Sequence, residues 1–146
     1  MRMGRNGVPF NMPKFRTMKI DAPLLPTDAI PEPMDYVTEV GRFLRKCSID
    51  ELPQLYSILK GDMSLVGPRP VLTTQTDLII SRSDRGVDNL FPGVTGWAQI
   101  NGRDCLTEEQ KVSFDTEYLK KASLSFDLFI IWRTVLYVTA LRDVQH

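Results

Sequence analysis

The sequence predicts an α+β fold: a small, mostly antiparallel sheet with surrounding helices, in a single domain over residues 1–146. Three observations predict it. Five segments repeat apolar residues at helical spacing, the remaining apolar runs are too short for anything but strands, and turn residues separate the two kinds. A chain of 146 residues with 42% apolar and 25% charged side chains is long enough to bury one core.

Residues 1–20 read as strands around the turn signal Asn6-Gly7, ending in Phe10 and in Phe15-Arg16-Thr17-Met18. Residues 21–36 hold Pro23, Pro26, Pro31 and Pro33 and read as an irregular loop, because proline lacks an amide donor and blocks helix interiors. Apolar positions Tyr36, Val37, Val40, Phe43 and Leu44 predict a helix to Arg45, with Arg42, Arg45 and Lys46 suited to its C-terminal dipole. Ser48 to Glu51 matches a capping box, predicting a second helix with one apolar face of Leu52, Leu55, Tyr56, Ile58 and Leu59 that stops at Gly61.

Met63 to Val66 is a short apolar run, broken by Gly67-Pro68-Arg69-Pro70. Residues 72–82 read as helix, 84–92 as loop, and 94–100 as strand before an Asn101-Gly102 turn. Thr107 caps a helix to Lys121, with Glu108 and Glu109 in its first turn. Residues 126–141 form an apolar helix. His146, the one histidine, sits at a terminus expected to fray.

Composition excludes several classes. Lys+Arg and Asp+Glu number 18 each, so there is no basic excess and no nucleic-acid partner is expected. Two cysteines, Cys47 and Cys105, make neither a disulfide scaffold nor a zinc site and read as reduced thiols. No apolar run reaches the ~18 residues of a membrane span, and no apolar run follows the basic N-terminus as in a signal peptide. Taken alone, the chain reads as cytoplasmic.

Four segments carry residues suited to chemistry. In Lys14-Phe15-Arg16-Thr17-Met18-Lys19-Ile20-Asp21, alternation puts Lys14 and Arg16 on one strand face ahead of Asp21, a carboxylate able to act as nucleophile or metal ligand. By itself the segment also reads as a solvated edge. Asp50 and Glu51 at a helix start read first as dipole-stabilised carboxylates and second as site residues. Arg69 lies between prolines that stiffen its neighbours' backbone, which suits bidentate phosphate recognition or simply an exposed turn.

The third block, Pro92 to Arg103, offers glycines that admit an anion to the backbone, Trp97, and Arg103 as a phosphate clamp. It lacks the Gly-Lys-Ser/Thr of a Walker loop and is not a dinucleotide fingerprint. Trp97 reads as core ahead of base stacking. In the fourth, Asp115 and Tyr118 share a helix face and serve either a site or a nearby basic partner.

Taken together, Phe15-Arg16-Thr17-Met18 with Asp21, Asp50-Glu51-Leu52-Pro53-Gln54, Lys60 to Pro70 and Pro92 to Arg103 resemble, in this order, the bacterial sugar transferase family, the monotopic phosphoglycosyl transferases. The resemblance runs from about Gly4 to Leu141. It implies a magnesium-dependent enzyme at the cytoplasmic face of the bacterial inner membrane. Such an enzyme moves a sugar-1-phosphate from a UDP-sugar to undecaprenyl phosphate through a covalent aspartyl intermediate, starting capsule or exopolysaccharide synthesis.

Carried over by residue, Asp21 matches the nucleophile and metal-binding position. Arg16 and Arg69 match basic positions near the phosphates, Gly102 and Arg103 the nucleotide site, and Asp115 a following acidic position. Many members carry an Asp-Glu pair at the nucleophile, whereas Asp21 precedes Ala22 and Pro23; Asp28 or Glu51 would then complete the metal site. Family members also carry an N-terminal segment dipping into one leaflet, and this sequence starts after it. The expected membrane contact is therefore peripheral, through surface helices such as the apolar C-terminal one. Two other readings stay open: an inactive remnant that binds nucleotide sugar or a partner, and a soluble nucleotide-sugar pyrophosphate hydrolase.

Overall fold

The computed structural model describes residues 1–22, 33–102 and 105–143. Most of the proline-rich loop with Asp28, then Arg103 and His146, lie outside the described residues. The chain packs as two compact units, one of Met1–Met12 with Tyr56–His146 and one of Pro13–Leu55.

The larger unit opens with a hairpin. Strands β1 (Arg2–Met3) and β2 (Pro9–Phe10) pair antiparallel, Arg2 with Phe10 and Met3 with Pro9. Asn6 and Gly7 both take left-handed φ, 56° and 72°, which the Asn-Gly signal anticipates. A second pair, β3 (Ser64–Val66) and β4 (Gly93–Thr95), is parallel, with Ser64 opposite Gly93 and Val66 opposite Thr95. The α+β class holds, but the expected mostly antiparallel sheet is two separate two-stranded sheets of opposite sense among the described residues. The reason is connection length: helix α3 (Thr76–Ser83) and a 3-10 turn at Val87–Asn89 lie between β3 and β4, and such a crossover returns a strand parallel.

Two helices complete this unit's core. Helix α5 (Glu108–Lys121) starts at Thr107, whose hydroxyl accepts from Gln110 N at 3.2 Å while Gln110 Oε1 accepts from Thr107 N at 2.9 Å. Helix α6 (Leu124–Asp143) buries Ile130 completely, with Val66 and Tyr118, under Trp97, Phe126 and Ile131. Burial of one such isoleucine is worth about 2–3 kcal/mol. A smaller cluster joins Val71, Leu78 and Val112. The other face of α6 exposes Leu124, Leu128 and Trp132, so the C-terminal helix is core on one side and bare on the other. Among the described residues no helix is long and apolar enough to cross a membrane.

Residues 94–100 depart from the expected strand. Only Gly93–Thr95 is extended, and Trp97–Ile100 form a short helix, α4. Side-chain amides close it: Gln99 Nε2 donates to Val94 O and Asn101 Nδ2 to Trp97 O, both at 2.8 Å. These bonds leave no trace in hydrophobic spacing.

In the smaller unit, helix α1 (Glu39–Lys46) begins later than Tyr36. Thr38 caps it, accepting from Gly41 N at 2.9 Å. The Ser48 capping box does not form. Ser48 has φ 55° and makes no side-chain cap, a 3-10 turn spans Ile49–Glu51, and helix α2 (Gln54–Lys60) starts only after Pro53. Proline explains the break, since a helix running through Pro53 would lose an amide and clash with the Ile49 carbonyl. Residues 13–19 form no regular strand, only a bridge from Met18 to Val37.

The buried Tyr118 gives the larger unit a pH signature. Its hydroxyl donates to Asp127 Oδ1 at 2.7 Å, and burial first, then Asp127, raise its pKa well above the ordinary 10.0. The folded form therefore keeps a proton that the unfolded chain releases near pH 10. That stabilisation is complete below the unfolded pKa and is lost as pH rises beyond it. Urea midpoints are expected to fall between pH 8 and pH 11. Tyr118→Phe should fall less steeply, though it begins about 1–3 kcal/mol lower because Asp127 loses its donor. Equal slopes would contradict this.

Candidate functional site

In the smaller unit the chain at 14–17 is pinned twice. Phe15 N donates to Asp50 O at 3.0 Å, and the Lys14 ammonium lies 2.8 Å from Asp50 Oδ2 and 3.4 Å from Glu51 Oε1. Asp50 is 3% exposed, and the Lys14 side chain 37%. Two adjacent carboxylates are thus gathered on one cation whose outer side faces solvent. Further along, Thr17 accepts from Arg45 Nε at 2.8 Å through its hydroxyl and from Thr38 N at 3.0 Å through its carbonyl. Arg16 is exposed, and Asp21 is exposed in a turn closed by Ala22 N to Lys19 O at 3.3 Å. Of the expected residues, the structure gathers Asp50 and Glu51 around Lys14, and leaves Arg16 and Asp21 on the unit's surface.

In the larger unit Arg69 is exposed between two buried prolines. Its segment is fixed by Gly67 N to Thr95 O and Gly93 N to Pro68 O, each 2.9 Å, and by Arg82 Nη1 to Arg69 O at 2.8 Å. Arg82 Nη2 also reaches Asp115 Oδ2 at 2.6 Å. Asp115, 1% exposed, is therefore half of a buried ion pair. Burial pushes its pKa up, opposed by the Arg82 guanidinium and by the charge of Lys111. Gly102 is half-buried with φ 150°, and an added Cβ would crowd Leu106.

Trp97 packs against the core, the role expected of it ahead of base stacking. Its ring lies 5.1 Å from Phe126 and edge-on to Phe114 at 6.4 Å, and its indole donates to Glu117 at 2.9 Å. That bond and one from Lys121 hold the Glu117 carboxyl below its usual range, the Lys121 bond contributing most. A cavity of about 40 Å³ beside Met3, Pro68, Arg69, Val71, Arg82 and Leu90 has room for water, not for a sugar nucleotide.

Arg82 went unread in the sequence, although a signal existed. It lies four residues after the buried Leu78, on the inward face of α3, where an arginine needs a partner. Asp115→Ala is expected to cost about 3–5 kcal/mol, because it leaves that guanidinium buried and unpaired, whereas Arg82→Met with Asp115→Leu should stay within about 1 kcal/mol of the parent. Chemical denaturation of both checks this; a mild single variant would contradict it.

No group of three or more His, Cys, Asp or Glu that could hold a metal occurs among the described residues. Magnesium that arrives with a diphosphate needs only one or two protein carboxylates. The exposed Asp21 and the Glu51 side chain, 15% exposed, are oxygen donors of that kind.

Residues 1–140 match the model of a family described as bacterial sugar transferase. The chain is 43% identical to the uncharacterized sugar transferase EpsL of Bacillus subtilis, over 99% of this chain and 70% of that protein. It is 39% identical to the undecaprenyl-phosphate galactose phosphotransferase of Salmonella typhimurium, over 94% of this chain and 32% of the relative. It is 41% identical to the UDP-glucose:undecaprenyl-phosphate glucose-1-phosphate transferase of Escherichia coli, over 92% and 30%. The chain thus spans about a third of these two longer relatives.

Proposed function

The chain belongs to the bacterial sugar transferase family, and we propose that it moves a sugar-1-phosphate from a UDP-sugar to undecaprenyl phosphate, acting as one catalytic domain that starts a glycan such as capsule or exopolysaccharide. Relatives whose names state this reaction support the substrate classes. The observation that carries the reading to residues is the cluster of Lys14, Asp50 and Glu51.

The reaction requires a carboxylate oxygen to attack the sugar-linked phosphorus. The bond from that phosphorus to the UMP oxygen breaks, UMP leaves, and an aspartyl phosphosugar remains. A phosphate oxygen of undecaprenyl phosphate then attacks the same phosphorus and frees the carboxylate. Asp50 suits the first step. It is oriented by an ammonium that also offsets repulsion between carboxylate and phosphate, and its burial shields an acyl phosphate from water. The sequence contains one adjacent Asp-Glu, at 50–51, which agrees with the pair carried by many members of the family.

The second reading keeps Asp21 as nucleophile, favoured by its full access to a substrate. In the first, Asp21 with Glu51 would hold magnesium, which when bound neutralises charge on the diphosphate oxygens. Arg16, Arg69 and Arg103 match phosphate-contact positions of the family, and Gly102 its nucleotide position. The exposed Leu124, Leu128 and Trp132 suit peripheral contact with the cytoplasmic face of the inner membrane.

The test is UMP release from a panel of UDP-sugars with magnesium, with and without undecaprenyl phosphate. Sustained lipid-dependent turnover supports the transferase, lipid-independent turnover the hydrolase, and none from folded protein the remnant.

A further inference from the structure

We propose that Arg82 is a positioning residue that sets the main chain at Arg69 and so aims the Arg69 guanidinium. The inference rests on the reading that Arg69 holds substrate phosphate.

Residues 67–70 are poor in main-chain donors. Pro68 and Pro70 carry no amide hydrogen, and Gly67 N is spent on Thr95. Pro68 O is held by Gly93 N. The Arg69 carbonyl, which belongs to the peptide plane leading into Pro70, is held by a side chain from α3 instead, Arg82 Nη1 at 2.8 Å. Proline restricts Arg69 to extended backbone but leaves that plane free to tilt within the extended region. The Arg82 bond removes the remaining freedom.

Arg82 is itself immobilised. It is 9% exposed, and its Nη2 is 2.6 Å from Asp115 on α5. A buried guanidinium needs an account of its charge and its donors. Two fixed anchors, one on a carboxylate and one on the loop carbonyl, give that account. An arginine fork spans both, whereas lysine, a point donor, cannot reproduce the geometry.

The test is a double-mutant cycle on UDP affinity, measured by calorimetry with magnesium on the full chain. Arg82→Met with Asp115→Leu removes both partners of the pair, and is made in the wild-type and Arg69→Ala backgrounds. UDP affinity is expected to fall about tenfold in the first and less than about twofold in the second, since without the guanidinium there is nothing to aim. If the double variant does not fold, Arg82→Lys, which keeps a cation beside Asp115, takes its place with the same expectation. Equal losses in both backgrounds, or no loss in the first, would overturn the proposal. So would an Arg69→Ala variant that binds UDP like the parent. UMP release by the wild-type chain is scored separately, so the transferase reading and the Arg82 proposal fail by different measurements.

Discussion

Asp50→Asn is expected to lower UMP release by roughly 10³-fold or more, because a nucleophile that forms the covalent intermediate has no substitute in the first half-reaction. The amide keeps the shape of the side chain and an oxygen toward Lys14, so circular dichroism should stay that of the parent. The burst of UMP in the absence of lipid acceptor, one equivalent at most for the wild type, should vanish with it. Asp21→Asn is the decisive comparison. If Asp21 only helps to hold magnesium, its variant loses far less and recovers in part as magnesium is raised. The reverse pattern, an active Asp50→Asn beside a dead Asp21→Asn, would transfer the nucleophile to the exposed turn.

The second large effect is on stability. Gly67→Ala or Gly93→Ala should each destabilise the protein by about 3 kcal/mol or more, at the upper end of overpacking costs. A Cβ at Gly67 would run into the Phe91 carbonyl, and one at Gly93 into Gly67 N and Thr95 O. Both obstacles are backbone, so no rotamer change relieves them. The parallel pair β3–β4 would have to separate, and with it the Gly67 N to Thr95 O and Gly93 N to Pro68 O bonds that hold the Arg69 segment. Gly61→Ala is the control. Its φ of +85° strains a larger residue, but nothing lies within 4 Å, so the cost should stay near 1 kcal/mol. Thermal unfolding of the three variants separates the cases. A Gly93→Ala as mild as Gly61→Ala would mean that the strands tolerate separation.

The sequence by itself determined much of this protein. The hairpin at Asn6-Gly7, the helix capped by Thr107, the apolar C-terminal helix and the break at Gly67 to Pro70 were all legible. Each is set by residues a few positions apart, through turn chemistry, capping or a single repeat. The same locality misled at Ser48, where a capping pattern is overruled by Pro53, and at Trp97 to Ile100, where side-chain amides close a helical turn. Four ordered motifs sufficed for the family.

Tertiary structure alone decided which charges meet. Lys14 reaches Glu51 across 37 positions, and Arg82 reaches Asp115 across 33. It gave Asp115 its arginine and the Asp50–Glu51 pair its lysine, and set the sense of β3 against β4. The reason is physical: local spacing fixes which face of a helix or turn a residue occupies. What that face meets depends on how distant segments pack to bury apolar surface, and a buried charge must then be answered by whatever cation or carboxylate the packing brings.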